Sequence, residues 1–153
     1  MIYAQEKYDE VIDEIKPLLE AHYAEIAKHK DIPLSPDWAL YKTLESIGAL
    51  KIFTCRSEHL DNSLIGYGIY FVKHHIHYST CLVAQQDILF IRKDYRGKGM
   101  RFIGWCDDQL RAMGVQMTIQ HVKATHNFGP MLERMGYELM DLIYTRRLDN
   151  GSK

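Results

Sequence analysis

Apolar positions along this chain change period more than once, and each change marks an element. Across residues 8–28, Val11, Ile12, Ile15, Leu18, Leu19, His22 and Ile26 recur at helical spacing and predict an amphipathic helix. Pro17 falls inside that run, where it either kinks one helix or opens a second. Residues 29–37 hold two prolines among polar neighbours and read as a loop. A short helix over 38–47 ends at Gly48, which suits a left-handed C′ position. The pattern then turns strand-like. Leu50–Arg56, Leu64–Lys73, His77–Val83 and Gln86–Ile91 are predicted strands, with a turn at Glu58–Ser63. A helix from Met100 to Met113 stops at Gly114, and Val115–Val122 is a further strand. Asn127 caps a short helix at 128–135, Gly136 ends it, and Tyr137–Leu148 is a terminal strand or strand pair. Helices, then strands, then strand–loop–helix–strand–helix–strand predict an α/β (α+β) fold: one central sheet covered by helices on both faces.

Composition narrows the reading without naming a function. At 153 residues the chain suits one domain over 1–148 and a frayed tail at 149–153. A net charge of −1 lacks the basic bias of a nucleic-acid binder, so nucleic acid is not expected as a partner. Apolar runs fall well short of the roughly 20 residues a membrane span needs. The N-terminal stretch has neither the basic region nor the apolar core of a signal peptide. Cys55, Cys81 and Cys106 form an odd, scattered set that fits reduced thiols of a cytoplasmic protein better than disulfides or a zinc site.

The densest chemistry lies between Asp87 and Gly114. A buried strand feeds Asp94-Tyr95-Arg96-Gly97-Lys98-Gly99-Met100-Arg101, and this loop opens the apolar-periodic helix. Helix N-termini present unpaired N–H groups and partial positive charge, and glycine lets a phosphate approach the backbone. Arg96, Lys98 and Arg101 add full positive charge there, so the segment reads as a pyrophosphate site.

Together with Asn127-Phe-Gly-Pro-Met-Leu-Glu-Arg-Met-Gly136-Tyr137, that loop resembles the GCN5-related N-acetyltransferase (GNAT) superfamily. Pro17–Tyr23, Gly66-Tyr67 and His77-Tyr78 further look like GNAT proteins encoded by tailed bacteriophages. The resemblance implies a mixed, mostly antiparallel twisted sheet with a splayed parallel strand pair, and acetyl transfer from acetyl-CoA to an amine. The acceptor would be a protein lysine, an N-terminus or a small amine. It implies that the pantetheine arm pairs with the backbone of Leu89, Phe90 and Ile91. The pyrophosphate would sit on Gly97, Lys98, Gly99 and the next turn, Met100 and Arg101, beside Arg96, and Asn127 would face the cofactor.

Three departures from the family pattern stand out. In one register Arg101 replaces the last small residue of the loop. In the other, favoured by helix length, Asp94 takes a basic position and the loop is about two residues short. Leu132 stands where many members carry a Tyr that protonates the leaving thiolate.

An amine must lose a proton to attack a thioester, which calls for a base near neutral pKa. Asp87 begins the buried strand, where many members place a carboxylate and where burial favours proton uptake. His121 and His126 lie at and beyond the end of the splayed strand, and His is the natural base near pH 7. The commoner reading of all three is a satisfied polar residue at a strand end. His74, His75, His77 and Tyr78 fit no standard metal spacing and read as a cleft wall or hairpin surface, so no metal is expected. Phe102, Trp105, Leu110 and Met113 are the core face of their helix. Tyr144, Arg146 and Arg147 either bind an acidic group or lie on a solvated strand. The competing function is a non-catalytic GNAT-fold protein that binds a host or phage protein. An unpaired edge at the last strand would invite a homodimer.

Overall fold

The first strand is one that periodicity does not show. In the computed structural model, which describes residues 1–149, β1 (Ile2–Glu6) precedes α1 (Tyr8–Ile26) and pairs antiparallel with β2 (Leu50–Ser57). Five residues, apolar in a run of three rather than alternating, carry too little pattern to be read alone; the partner edge makes them a strand. Then come α2 (Trp38–Ser46), β3 (Ser63–His74), β4 (Leu82–Ile91), a 3₁₀ segment Lys93–Lys98, α3 (Gly99–Ala112), β5 (Met117–Ile119), a 3₁₀ turn Ala124–His126 and α4 (Gly129–Arg134). The sheet runs β1-β2-β3-β4-β5, antiparallel except for the parallel β4–β5 pair.

Two apolar layers hold helices to opposite faces. Val11, Ile12, Ile15 and Leu19 of α1 pack on Leu50, Ile52, Tyr67, Ile69 and Phe90 of the sheet. Each such burial is worth roughly 1.5–3 kcal/mol. On the other face Phe102, Cys106 and Leu110 of α3 meet Phe53, Cys55, Ile65, Tyr70 and Ile91. Met113, expected in that core, is 37 % exposed, because it caps α3 just before Gly114 turns left-handed at φ +87°. The three cysteines are free thiols.

Local chemistry explains the helix ends. Glu10 accepts from the Lys7 N–H at 2.9 Å and closes the start of α1. Pro17 sits within one continuous α1 on its exposed side, so the Asp13 carbonyl that loses its partner faces water. Asp37 caps α2 through the Leu40 N–H, and Gly48 ends it at φ +79°. Arg56 forks onto Glu6 and Glu14 at 2.7–3.0 Å, tying β2 to β1 and α1.

Three predicted strands change. Residues 77–81 belong to the β3–β4 hairpin turn, closed by His75 N–H to Cys81 at 2.9 Å, and β4 starts at Leu82. The polar His-Tyr-Ser-Thr run there has no apolar face to bury. The strand expected over Val115–Val122 shrinks to Met117–Ile119, because pairing with β4 ends at Gln85. Tyr137–Leu148 is no strand: among the described residues, positions 138–149 make no backbone–backbone hydrogen bond. A strand needs a neighbouring edge, and this segment lies against none. Of the tail expected at 149–153, Asp149 accepts from Arg147, and residues 150–153 lie outside the described residues.

Candidate active site

The splay between β4 and β5 organises the site. Their parallel pairing covers Val83–Gln85 of β4 only. Beyond it a side chain replaces the ladder, with Gln86 Oε1 accepting from the His121 N–H at 2.8 Å. From Asp87 to Ile91 the edge of β4 facing β5 has no strand beside it.

Which backbone groups face that opening follows from parity. Bonded and non-bonded pairs alternate along an antiparallel ladder. The Arg92 N–H donates to Ile65 at 2.8 Å, so Phe90 and Ile88 share that parity and bond β3. Leu89 and Ile91 turn their N–H and C=O groups outward. Ile91 C=O already accepts from Arg96 Nε at 3.2 Å. Phe90, expected to pair with the pantetheine arm, instead belongs to the β3 ladder by its backbone and to the α1 layer by its ring.

A bulge sets the position of Asp87. Ile69 pairs with Ile88 but Tyr70 with Gln86, leaving Asp87 as the extra residue. Ala84 faces α3 whereas Ile88 and Phe90 face α1, the break in alternation that one inserted residue produces. Asp87 therefore turns toward the α1/α2 layer, where the Tyr41 hydroxyl of α2 donates to its Oδ2. Tyr67 of β3 is fully buried beneath this pair, and its hydroxyl has no hydrogen-bond partner among the described residues. Burial and the Asp87 charge push both phenols well above the usual tyrosine range, so both remain neutral donors. An unpaired buried hydroxyl costs about 1–3 kcal/mol.

His22 of α1 lies against the ring of Phe90, centroids 5.1 Å apart. Burial pushes its imidazole down to about 4, only partly opposed by Glu25, while Arg96, Lys123 and His126 add to the depression. It is a neutral ring near pH 7. Tyr41, Tyr67, His22 and Glu25 were not singled out as site residues from the sequence. His22 reads there as one position of a helical stripe, and nothing local ties Tyr41 to a residue 46 positions away.

The phosphate-side residues are less uniform than expected. Arg96 directs its guanidinium to Glu25, two bonds of 2.8 Å, and so links the loop to α1. That pairing holds the Glu25 carboxyl below its ordinary range. The Gly99 N–H bonds to Arg96 C=O within the 3₁₀ segment. What remains is the start of α3, with no side-chain cap and no acid in its first turn. Lys98, Met100 and Arg101 are exposed around it, and Lys98 Nζ lies 5.9 Å from the Tyr95 ring centre. Two cations at the positive end of a helix dipole repel it, and an anion relieves that conflict. Gly97 has open space around its Cα.

The remaining candidates sit at the rim. The His121 ring is exposed, its Nε2 3.5 Å from Gln85 Nε2. His126 Nε2 stands 3.8 Å from Glu25. Asn127 Oδ1 accepts from the Gly129 N–H at 2.8 Å and so shapes the entry to α4. Leu132 is buried. His75, His77 and Tyr78 stack on one another at the tip of the β3–β4 hairpin, with centroids 4.8–6.5 Å apart. Arg147 bonds Asp31 and Asp149.

No family model matches the sequence, and no curated protein does. Solved structures do. A ribosomal-protein-alanine N-acetyltransferase from Brucella melitensis biovar Abortus superposes with a TM-score of 0.67 at 20% identity, covering 96% of this chain and 99% of that one. The fold is that of the GNAT acetyltransferases. An aminoglycoside acetyltransferase from a soil metagenome matches at 0.68 and 13% identity, over 95% and 96% of the two chains. Glucosamine-6-phosphate N-acetyltransferase from Arabidopsis thaliana matches at 0.67 and 14%, over 97% and 100%. The names of these three proteins specify chemically different acceptors, so the shared fold does not go with one acceptor.

Proposed function

We propose that this protein is an acetyl-CoA-dependent N-acetyltransferase. One observation carries the reading: the β5-facing edge of β4 is open from Asp87 to Ile91, and that edge leads into the uncapped, cation-flanked start of α3. An extended amide-bearing chain ending in phosphates suits such a track. Leu89 and Ile91 would hold the pantetheine amides, and Lys98, Arg101 and the first turn of α3 the phosphates. Bound there, acetyl-CoA supplies an activated acetyl thioester.

The chain's own groups handle the amine. Asp87 takes the proton the amine loses, and the Tyr41 hydroxyl fixes the carboxylate's orientation. The acceptor is an amine on a protein or a small molecule.

The second reading, a non-catalytic protein that binds another protein, draws on two observations. Leu132 is buried where the resemblance places an acid, and the Arg96 guanidinium and Gly99 N–H are already engaged. Calorimetric titration with acetyl-CoA and with CoA separates the two. Micromolar binding that Gly97→Asp abolishes, in a protein of unchanged melting temperature, supports the transferase. No heat with either ligand supports the second reading, and equal affinity in wild type and variant removes the loop from the site.

A further inference from the structure

β4 carries Gln85, Gln86 and Asp87 at its centre, where a strand with neighbours on both sides ordinarily reads as an apolar run. Gln86 is nonetheless only 5% exposed. Burying a carboxamide is unfavourable unless its polar atoms are bonded. Its Oε1 accepts from the His121 N–H at 2.8 Å, and its Nε2 makes no hydrogen bond among the described residues. A backbone N–H only donates, so the atom that meets it is the oxygen. The acceptor is the half of this side chain that the fold uses.

Ladder parity shows what that bond replaces. The His75 N–H donates to the Cys81 C=O, so Cys81, Val83 and Gln85 turn their backbone groups toward β3. Leu82, Ala84 and Gln86 then face β5, and the Leu82 C=O accepts there from the Gln116 N–H at 2.9 Å. With Gln85 opposite Ile119, the next step of the parallel ladder would bring the His121 N–H onto the Gln86 C=O. In the structure the Gln86 side chain accepts in place of its own carbonyl. A side-chain acceptor reaches farther from the strand axis than a carbonyl does, which suits strands spread wider than the roughly 4.8 Å of a paired ladder. Pairing ends there, and the open edge begins at the next residue, Asp87.

We infer that Gln86 is a positioning residue for the acyl thioester: its side chain keeps β5 from pairing one step further along β4 and so preserves the room beside Asp87 that the acyl group occupies. The inference rests on the acetyltransferase reading, in which the phosphates lie at the start of α3 and the pantetheine amides on Ile91 and Leu89, so that the acyl group comes last. Without the acceptor oxygen the His121 N–H is free to take the Gln86 C=O. Molecules closed in this way do not bind, and the apparent affinity falls with the fraction left open. Closure crowds the acyl end, so acetyl-CoA loses more than CoA.

Calorimetric titration with acetyl-CoA and with CoA, together with amide hydrogen exchange on the ligand-free chain, tests it. The His121 amide of the wild type should exchange at least about 10-fold slower than an unpaired amide. Gln86→Met matches the side chain in length and lacks the acceptor. It should weaken acetyl-CoA by about tenfold or more, the factor of roughly one hydrogen bond, and CoA by less than about threefold. Gln86→Glu keeps an acceptor oxygen and should bind acetyl-CoA within about threefold of the wild type. Gln116→Met removes a side-chain bond to the Leu82 N–H at the other end of the same ladder and should leave both affinities unchanged. Undiminished acetyl-CoA affinity in Gln86→Met overturns the inference and leaves the transferase reading standing. Equal weakening in Gln86→Met and Gln116→Met also overturns it, by marking a sheet that has merely loosened, as does a Gln86→Glu protein that binds no better than Gln86→Met. A wild type that binds neither ligand overturns both the inference and the reading. An unprotected His121 amide in the wild type overturns the inference even where Gln86→Met does not fold.

Discussion

His22 should make the fold acid-sensitive well above the range where carboxylates titrate. Its ring is largely buried against Phe90, and its pKa drops from an ordinary 6.5 to about 4 on folding. Between those values the unfolded chain binds a proton that the native protein refuses. Stability is therefore complete above pH 6.5 and is lost as pH falls toward 4. At about 1.4 kcal/mol per tenfold change, the displacement bounds the loss at roughly 3 kcal/mol. The ring keeps some contact with solvent, and screening reduces that to about 1–2 kcal/mol. The carboxylates held down by ion pairs, Glu6 and Glu25, lose their contribution in the same direction but below about pH 4.5. His22→Phe keeps an aromatic ring against Phe90 and removes the titrating group. Slightly more than half of that loss falls between pH 7 and pH 5, so urea unfolding at those two values should show a midpoint drop roughly 0.3–0.5 M larger in the wild type than in His22→Phe. Equal drops in the two proteins would refute the assignment of a buried, neutral His22.

Three further outcomes follow from the site. Asp87→Asn should lower turnover by about 100-fold or more, and Tyr41→Phe, which removes a charge-assisted bond of about 1.5–3 kcal/mol, should lower kcat/KM about 10–100-fold; undiminished turnover in Asp87→Asn removes it as the base. Gly66→Ala places a methyl 2.9 Å from the Phe90 carbonyl, a backbone atom that cannot swing away. It should cost about 1–3 kcal/mol in urea unfolding, and an unaltered midpoint would mean that β3 and β4 separate freely. Glu25→Gln should release Arg96 toward the phosphates and tighten acetyl-CoA binding by roughly threefold while changing stability by less than about 1 kcal/mol. Weaker binding would show that the ion pair holds the loop in place.

Much of the frame was legible along the chain because it depends on neighbours in sequence. The α1 stripe, the glycine stops at Gly48, Gly114 and Gly136, and the strand–loop–helix run from β4 into α3 all appear where periodicity and turn chemistry put them. These features are decided within one or two turns of backbone. Asp87 on β4 and the cations at the α3 start were legible for the same reason. What the residues do to one another was not. That Tyr41 reaches Asp87, that Arg96 is taken by Glu25 from 71 positions away, and that Tyr67 is buried without a partner depend on how layers stack. The bulge at Asp87 is equally a property of two strands in register, since one strand alone carries no record of its partner's count.

The sequence by itself thus determined the helices, the central strands, their order and the chemistry carried on each. The tertiary structure decided which edges were paired, and hence that β1 is a strand, that β5 stops at Ile119 and that the apolar segment after Gly136 stands uncovered. The physical reason is that a helix closes its hydrogen bonds within its own segment, whereas a strand exists only where another edge accepts it.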